Sequence, residues 1–206
     1  MKHWLNKHSL FIAAVAGSGL WLGFVCGIGA AEGQSFFNYF IRSSMALPGA
    51  QPDGSFMLGN FENGDALKAW KTTAAKIELL QEHAFEGKSS AKIAFFSHVN
   101  VSQIGLKDYF TTRNAFFDWS KYKALSFYIF NPGAETKRII LQVSDRKGRH
   151  YKEDFFIEAN SGKTFVISLE KVFAEINSAQ INGLSFFEWN VGNGFSLYFD
   201  DIKLTA

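Results

Sequence analysis

The chain has 206 residues, room for one domain and a short leader, with 23 phenylalanines but only 3 prolines. So large an aromatic supply excludes an intrinsically disordered chain and suits a β-sandwich with a big core. The formal net charge is only +2 and no basic run occurs, which excludes the electrostatic footprint of a nucleic-acid binder.

Lys2 and Lys7 precede an uncharged run from Ser9 to Ala31 that ends in Gly29-Ala30-Ala31. A positive start, an apolar middle and a small-residue end predict a signal peptide over residues 1–31, and hence a secreted or periplasmic domain. The run is also long enough to span a bilayer, and Gly19, Gly23 and Gly27 form a stripe of small residues suited to helix packing. An uncleaved anchor, with the domain still outside the cytoplasm, is therefore the alternative, and the only route by which a membrane becomes a partner. The single cysteine, Cys26, lies in this leader, so the domain that follows has no disulfide and relies on core burial. Residues 32–55 read as a connector, with an aromatic cluster at 36–41 and turns at Pro48-Gly49 and Pro52-Asp53-Gly54.

Residues 56–62 read as the first strand and Asn63-Gly64 as a turn. Residues 66–80 allow either a helix or strands. A turn at 86–88 leads into a strand at 90–97, followed by another at 101–110. The clearest pattern occupies residues 123–145. Leu125, Phe127 and Ile129 alternate with Ser126, Tyr128 and Phe130; after Pro132-Gly133, Ile139, Leu141 and Val143 alternate with Ile140, Gln142 and Ser144. This alternation predicts a half-buried β-hairpin, whose covered face requires a second sheet. A charged turn after Asp145 leads to a strand at 150–158, Ser161-Gly162 turns the chain into a strand at 163–169, and residues 169–176 suit a short helix. Strands at 182–189 and 195–204 flank the turn Gly192-Asn193-Gly194. Many short strands at such spacing predict an all-β fold, a two-sheet antiparallel β-sandwich over residues 56–206.

Three segments, taken in order, resemble a known family. They are Asn60-Phe61-Glu62-Asn63-Gly64 with Trp70 after it, Asp118-Trp119-Ser120-Lys121-Tyr122-Lys123-Ala124-Leu125 running on to Asn131-Pro132, and Leu197-Tyr198-Phe199-Asp200-Asp201-Ile202-Lys203-Leu204. Their order and spacing resemble the galactose-binding-like jelly rolls, the fold of many non-catalytic carbohydrate-binding modules attached to bacterial polysaccharide-degrading enzymes. The resemblance implies a two-sheet jelly roll, a glycan site on a concave sheet or at a loop end, and often a structural calcium. In similar modules an acid near the first strand and the first Asp of the terminal strand hold the ion together with loop carbonyls. The matching positions are Glu62 and Asp200, with residues 86–88 as the loop, a set of hard oxygens that suits calcium. Asp201, next along the strand, should face the other way.

Alternation puts Tyr128 and Gln142 on the side away from the core row, and sets Phe187 and Trp189 opposite Leu184 and Phe186. Sugars offer apolar C–H faces to rings and hydroxyls to amides, so Tyr128, Gln142, Phe187, Trp189 and Asn190 are the candidate glycan surface. Trp189 could instead fill the core, as Trp70 and Trp119 are expected to do. Asp145, Arg146, Arg149, His150 and Tyr151 offer a second, loop-end set of contacts.

No nucleophile elbow, zinc-protease, phosphate-loop or zinc-cluster motif occurs. Glu153 and Asp154 are strand neighbours that point to opposite faces, a poor acid/base pair. The expectation is an exported, non-catalytic glycan-binding domain. Two other classes stand beside it: a cell-envelope structural or assembly protein that meets a protein partner through the same aromatic face, and a small secreted glycosidase or polysaccharide lyase.

Overall fold

In a computed structural model the described residues are 49–106 and 118–206. The leader, the aromatic cluster at 36–41 and the end of the strand expected at 101–110 lie outside them. Among the described residues no helix is long and apolar enough to cross a membrane.

The alternating segments build two antiparallel sheets. The strands, in chain order, are β1 (Gly49–Ala50), β2 (Phe56–Gly59), β3 (Trp70–Thr73), β4 (Ala75–Leu80), β5 (Ser90–Phe95), β6 (Val99–Leu106), β7 (Ala124–Asn131), β8 (Lys137–Asp145), β9 (His150–Ile157), β10 (Ser161–Ser168), β11 (Ile181–Val191) and β12 (Phe195–Thr205). Two short helices join them, α1 (Gly64–Leu67) and α2 (Leu169–Glu175). The five-stranded sheet runs β3-β6-β11-β8-β9. The seven-stranded sheet is centred on β12. One edge of β12 pairs with β7, which in turn pairs with β10; its other edge takes β5 along its first half and β2 along its second. β1 already pairs with β2 through Gly49 and Met57, so the sheet begins inside the stretch expected to be connector.

The residues expected to point inward do so. Leu125, Phe127 and Ile129 of β7, Ile139, Leu141 and Val143 of β8, and Leu184 and Phe186 of β11 all belong to the core, as do Trp70 and Trp119. Rings link the layers: Phe127 lies 5.2 Å from Phe155 and 5.0 Å from Phe186, and Phe186 lies 5.0 Å from Phe199. Removing so much aromatic surface from water is the main force holding the sheets together.

Two local expectations need correction, and a third segment, left open between helix and strands, is resolved. The 123–145 segment is not a hairpin. β7 and β8 are strands as expected, yet they lie in different sheets and pair with other partners. Residues 132–136 carry the chain across the sandwich, and Asn131 knits this corner. Its fully buried amide donates to the carbonyls of Glu135 (2.8 Å), Ile157 (3.0 Å) and Glu158 (3.1 Å) and accepts the Gly133 N–H at 2.9 Å. Secondly, Asn63 caps α1 rather than turning a hairpin, since its side chain accepts the N–H groups of Asp65 (2.9 Å) and Ala66 (3.2 Å). Lastly, the ambiguous 66–80 segment holds the end of α1 and then two strands in different sheets. The chain changes sheet at Ala74, whose φ of +47° breaks the extended run.

Candidate functional site

The outer face of the five-stranded sheet gathers most of the candidate residues. β11 alternates Leu184 and Phe186 inward with Ser185, Phe187 and Trp189 outward. β8 likewise sends Ile140 and Gln142 outward, and the register sets Phe187 against Ile140 and Ser185 against Gln142. Phe187 and Ile140 are only 3 % and 5 % exposed yet lie outside the core cluster, so they form an apolar floor on the outer face. Trp189 stands on that floor. It is 45 % exposed and meets the Phe187 ring edge-on at 5.0 Å and 80°. Asn190 follows it, exposed, with φ of +49°, a conformation that asparagine tolerates better than most residues. Gln142 is half-buried and donates to the Ser144 hydroxyl at 3.2 Å, which also meets His150 Nδ1 at 2.9 Å.

Gln142 and Trp189 thus share one face, with Phe187 as the support beneath Trp189 rather than an open ring, and Asn190 adjoins Trp189 in the chain. Tyr128 does not join them. It lies on β7, on the outer face of the other sheet, because the presumed hairpin is a crossing between sheets. There the β4–β5 loop covers it: Phe85 stacks on Tyr128 (4.8 Å, 24°) and His83 on Phe130 (3.9 Å, 13°). The Tyr128 hydroxyl also crosses Gly162 of the neighbouring strand, where a Cβ would lie 1.9 Å from it. Burial first, and the Asp200 charge next, push the Tyr128 hydroxyl above its ordinary pKa.

Glu62 and Asp200 grip that same covering loop. Glu62 accepts the N–H groups of Lys88 (3.0 Å) and Ser89 (3.2 Å). Asp200 accepts those of Phe85 (2.9 Å) and Glu86 (3.1 Å) through one oxygen, and that of Asp201 (2.8 Å) through the other. Gly87 has φ of +73°, and a Cβ there would fall 2.3 Å from Glu62 Oε1, so the loop admits no side chain at this point. Asp201, expected to face away from Asp200 in a regular strand, lies where the strand is not regular. β12 is irregular between Asp200 and Lys203, Asp201 has φ of +48°, and both carboxylates are buried. Burial pushes the Asp200 carboxyl up to about 6, against the N–H groups of Glu86, Phe85 and Asp201. Asp201 Oδ2 meets Lys203 Nζ at 2.8 Å, while its buried Oδ1 has no hydrogen-bond partner among the described residues. Among the described residues no three or more His, Cys, Asp or Glu side chains converge as a metal cluster, so an ion here needs loop carbonyls as well.

The charged tip after β8 has a structural task. Asp145 is fully buried and accepts the N–H groups of Lys147 (2.8 Å), Arg149 (3.1 Å) and Asn177 (2.9 Å), as well as the Arg149 guanidinium. Tyr151 is buried in the core and donates to Glu153. Asp154, on the opposite face of β9, pairs instead with Arg138. Sequence reasoning overlooked Lys152, Phe85 and His83. Alternation along β9 could have put Lys152 outward, but only the sheet order shows which rings lie beside it; the two loop residues carry no periodic signal.

The family described as "Agarase CBM like domain" matches residues 60–201. Among solved structures, an exo-β-agarase is similar with a TM-score of 0.60 at 15% identity, over 72% of this chain and 25% of that one. A second agarase gives a TM-score of 0.60 at 12% identity, over 74% of this chain and 24% of that one. A family 11 carbohydrate-binding module from Clostridium thermocellum, solved in complex with a β-1,3-1,4-mixed-linked tetrasaccharide, gives a TM-score of 0.55 at 17% identity, over 76% of this chain and 98% of that one. The chain therefore spans about a quarter of the agarases it resembles and nearly the whole of a free-standing module. At these identities the likeness speaks for the fold, a two-sheet jelly roll. No curated protein matches the chain.

Proposed function

Because the chain belongs to the agarase carbohydrate-binding-module-like family, we propose that its domain recognises a polysaccharide and performs no chemistry on it. The observation that carries this reading is Trp189, a large ring left 45 % exposed on an outer sheet face and braced by the buried Phe187. Such a ring offers a flat apolar surface to the C–H face of a sugar, while Gln142 and Asn190 beside it supply amides for hydroxyls. A few polar groups around an apolar contact is the usual composition of a small-ligand site. Trp189→Ala in the full chain should weaken binding to a bound polysaccharide by about 2 kcal/mol, as for an interface anchor, or roughly thirtyfold. Affinity electrophoresis reads the binding and a thermal melt the fold. Loss of the melt together with the binding would assign Trp189 to packing instead.

The same proposal extends to a structural calcium. What supports it is surplus negative charge: Asp200 and Asp201 are adjacent and buried, and among the described residues Lys203 reaches only one of them and Asp201 Oδ1 has no donor. A carboxylate has lone pairs beyond those that accept N–H groups. Glu62 and Asp200, with Asp201 and carbonyls of the loop they grip, would hold the ion and tie that loop to β12. Calcium added to chelator-treated protein should raise the melting midpoint by about 5 °C. An unchanged midpoint would rule out the ion.

A further inference from the structure

Charges on the outer face of the five-stranded sheet are unequally matched. Arg138 is saturated: its guanidinium meets Glu188 at 2.6 and 3.0 Å and Asp154 at 3.4 Å, so both nearby acids are spent on one cation. Lys152 has no carboxylate partner among the described residues. It stands directly across from Gln142 in the register of β8 and β9. Its Nζ lies 5.7 Å from the centre of the Trp189 ring and 5.8 Å from that of Phe187. An exposed contact of this type holds a lysine only weakly. A sugar ring laid on Trp189 would displace the ammonium sideways and leave its three donors facing the ligand.

Resting on the carbohydrate reading above, we propose that this face takes an anionic polysaccharide and that Lys152 is the specificity-determining residue that contacts the anion. Sulfate ester and uronic carboxylate present the same chemistry to an ammonium, one or more charged oxygens beside a ring with an apolar face. Trp189 supplies affinity common to all such sugars, and Lys152 supplies the choice among them.

The experiment compares binding of the full chain to a neutral galactan, a sulfated galactan and a polyuronate at low salt, for the wild type, Lys152→Gln and Lys152→Arg. The expected result is about fivefold tighter binding of at least one acidic polymer, the size of an exposed ion pair. That advantage should vanish in high salt and in Lys152→Gln, and should persist in Lys152→Arg, with neutral binding equal in all three. Preference for one acidic polymer over the other identifies the group recognised. Equal or tighter binding of the neutral polymer by the wild type, or an acidic preference that survives Lys152→Gln, overturns the assignment but leaves the carbohydrate reading standing. Failure to bind any polysaccharide overturns both.

Discussion

Phe127→Ala should lower the unfolding free energy by about 3–5 kcal/mol, the range for emptying a fully buried aromatic site. The Phe127 side chain is wholly buried where the two sheets meet, with Phe155 and Phe186 of the five-stranded sheet at 5.2 and 5.0 Å and Phe165 of its own sheet at 5.5 Å. Each neighbour is itself held by other rings, Phe155 by Phe165 and Phe186 by Phe199, so none is free to collapse into the space. The loss therefore includes a cavity as well as the missing transfer energy. Urea unfolding should show the midpoint falling with the slope unchanged. A loss below about 1 kcal/mol would mean that the ring cluster rearranges to fill the gap.

Asp145→Asn should be almost as damaging although it changes a single atom type. In the wild type one oxygen accepts the N–H groups of Lys147 and Arg149, and the other accepts that of Asn177 and the Arg149 side chain. An amide has one acceptor oxygen, so whichever way it is turned its NH2 faces donors. The β8–β9 turn and the segment after α2 lose their common anchor, and the melting midpoint should fall by about 10 °C. The pH dependence follows the same contacts. Burial opposes the charge, but the N–H groups of Asn177, Arg149 and Lys147 and the Arg149 guanidinium outweigh it and hold the carboxyl well below its ordinary value of 3.8. A carboxyl depressed on folding contributes stability that is full above the unfolded value and is lost as pH falls through the folded one. Acid unfolding of the wild type below about pH 4 should thus carry a component that the variant lacks. Identical acid limbs would show that Asp145 is not charged in the folded state.

Most of the strands were legible because a half-buried strand writes its inner face into alternate residues. β7 and β8 match the expected segments, and Leu125, Phe127, Ile129, Ile139, Leu141 and Val143 all face the core. Alternation is silent about which sheet a strand joins. A five-residue link such as 132–136 serves a hairpin or a crossing equally well, and the deciding residue, Asn131, reads locally as an ordinary turn former. That is why Gln142 and Trp189 share a face while Tyr128 lies in the other sheet. The acids behaved differently again: Glu62 and Asp200 accept N–H groups of one loop, and the irregularity of β12 at Asp201 has no sequence signature beyond two adjacent aspartates.

β12 has one more consequence, for the order in which the fold is assembled. It is synthesised after every strand it touches, yet β2, β5 and β7 have no common neighbour without it. A nascent chain that has reached Gly194 already holds β2, β5 and β7 and still cannot join them into one layer. Their edges stay open to mispairing until β12 is made. Closure of the larger sheet therefore waits on β12, whichever other strands have already paired.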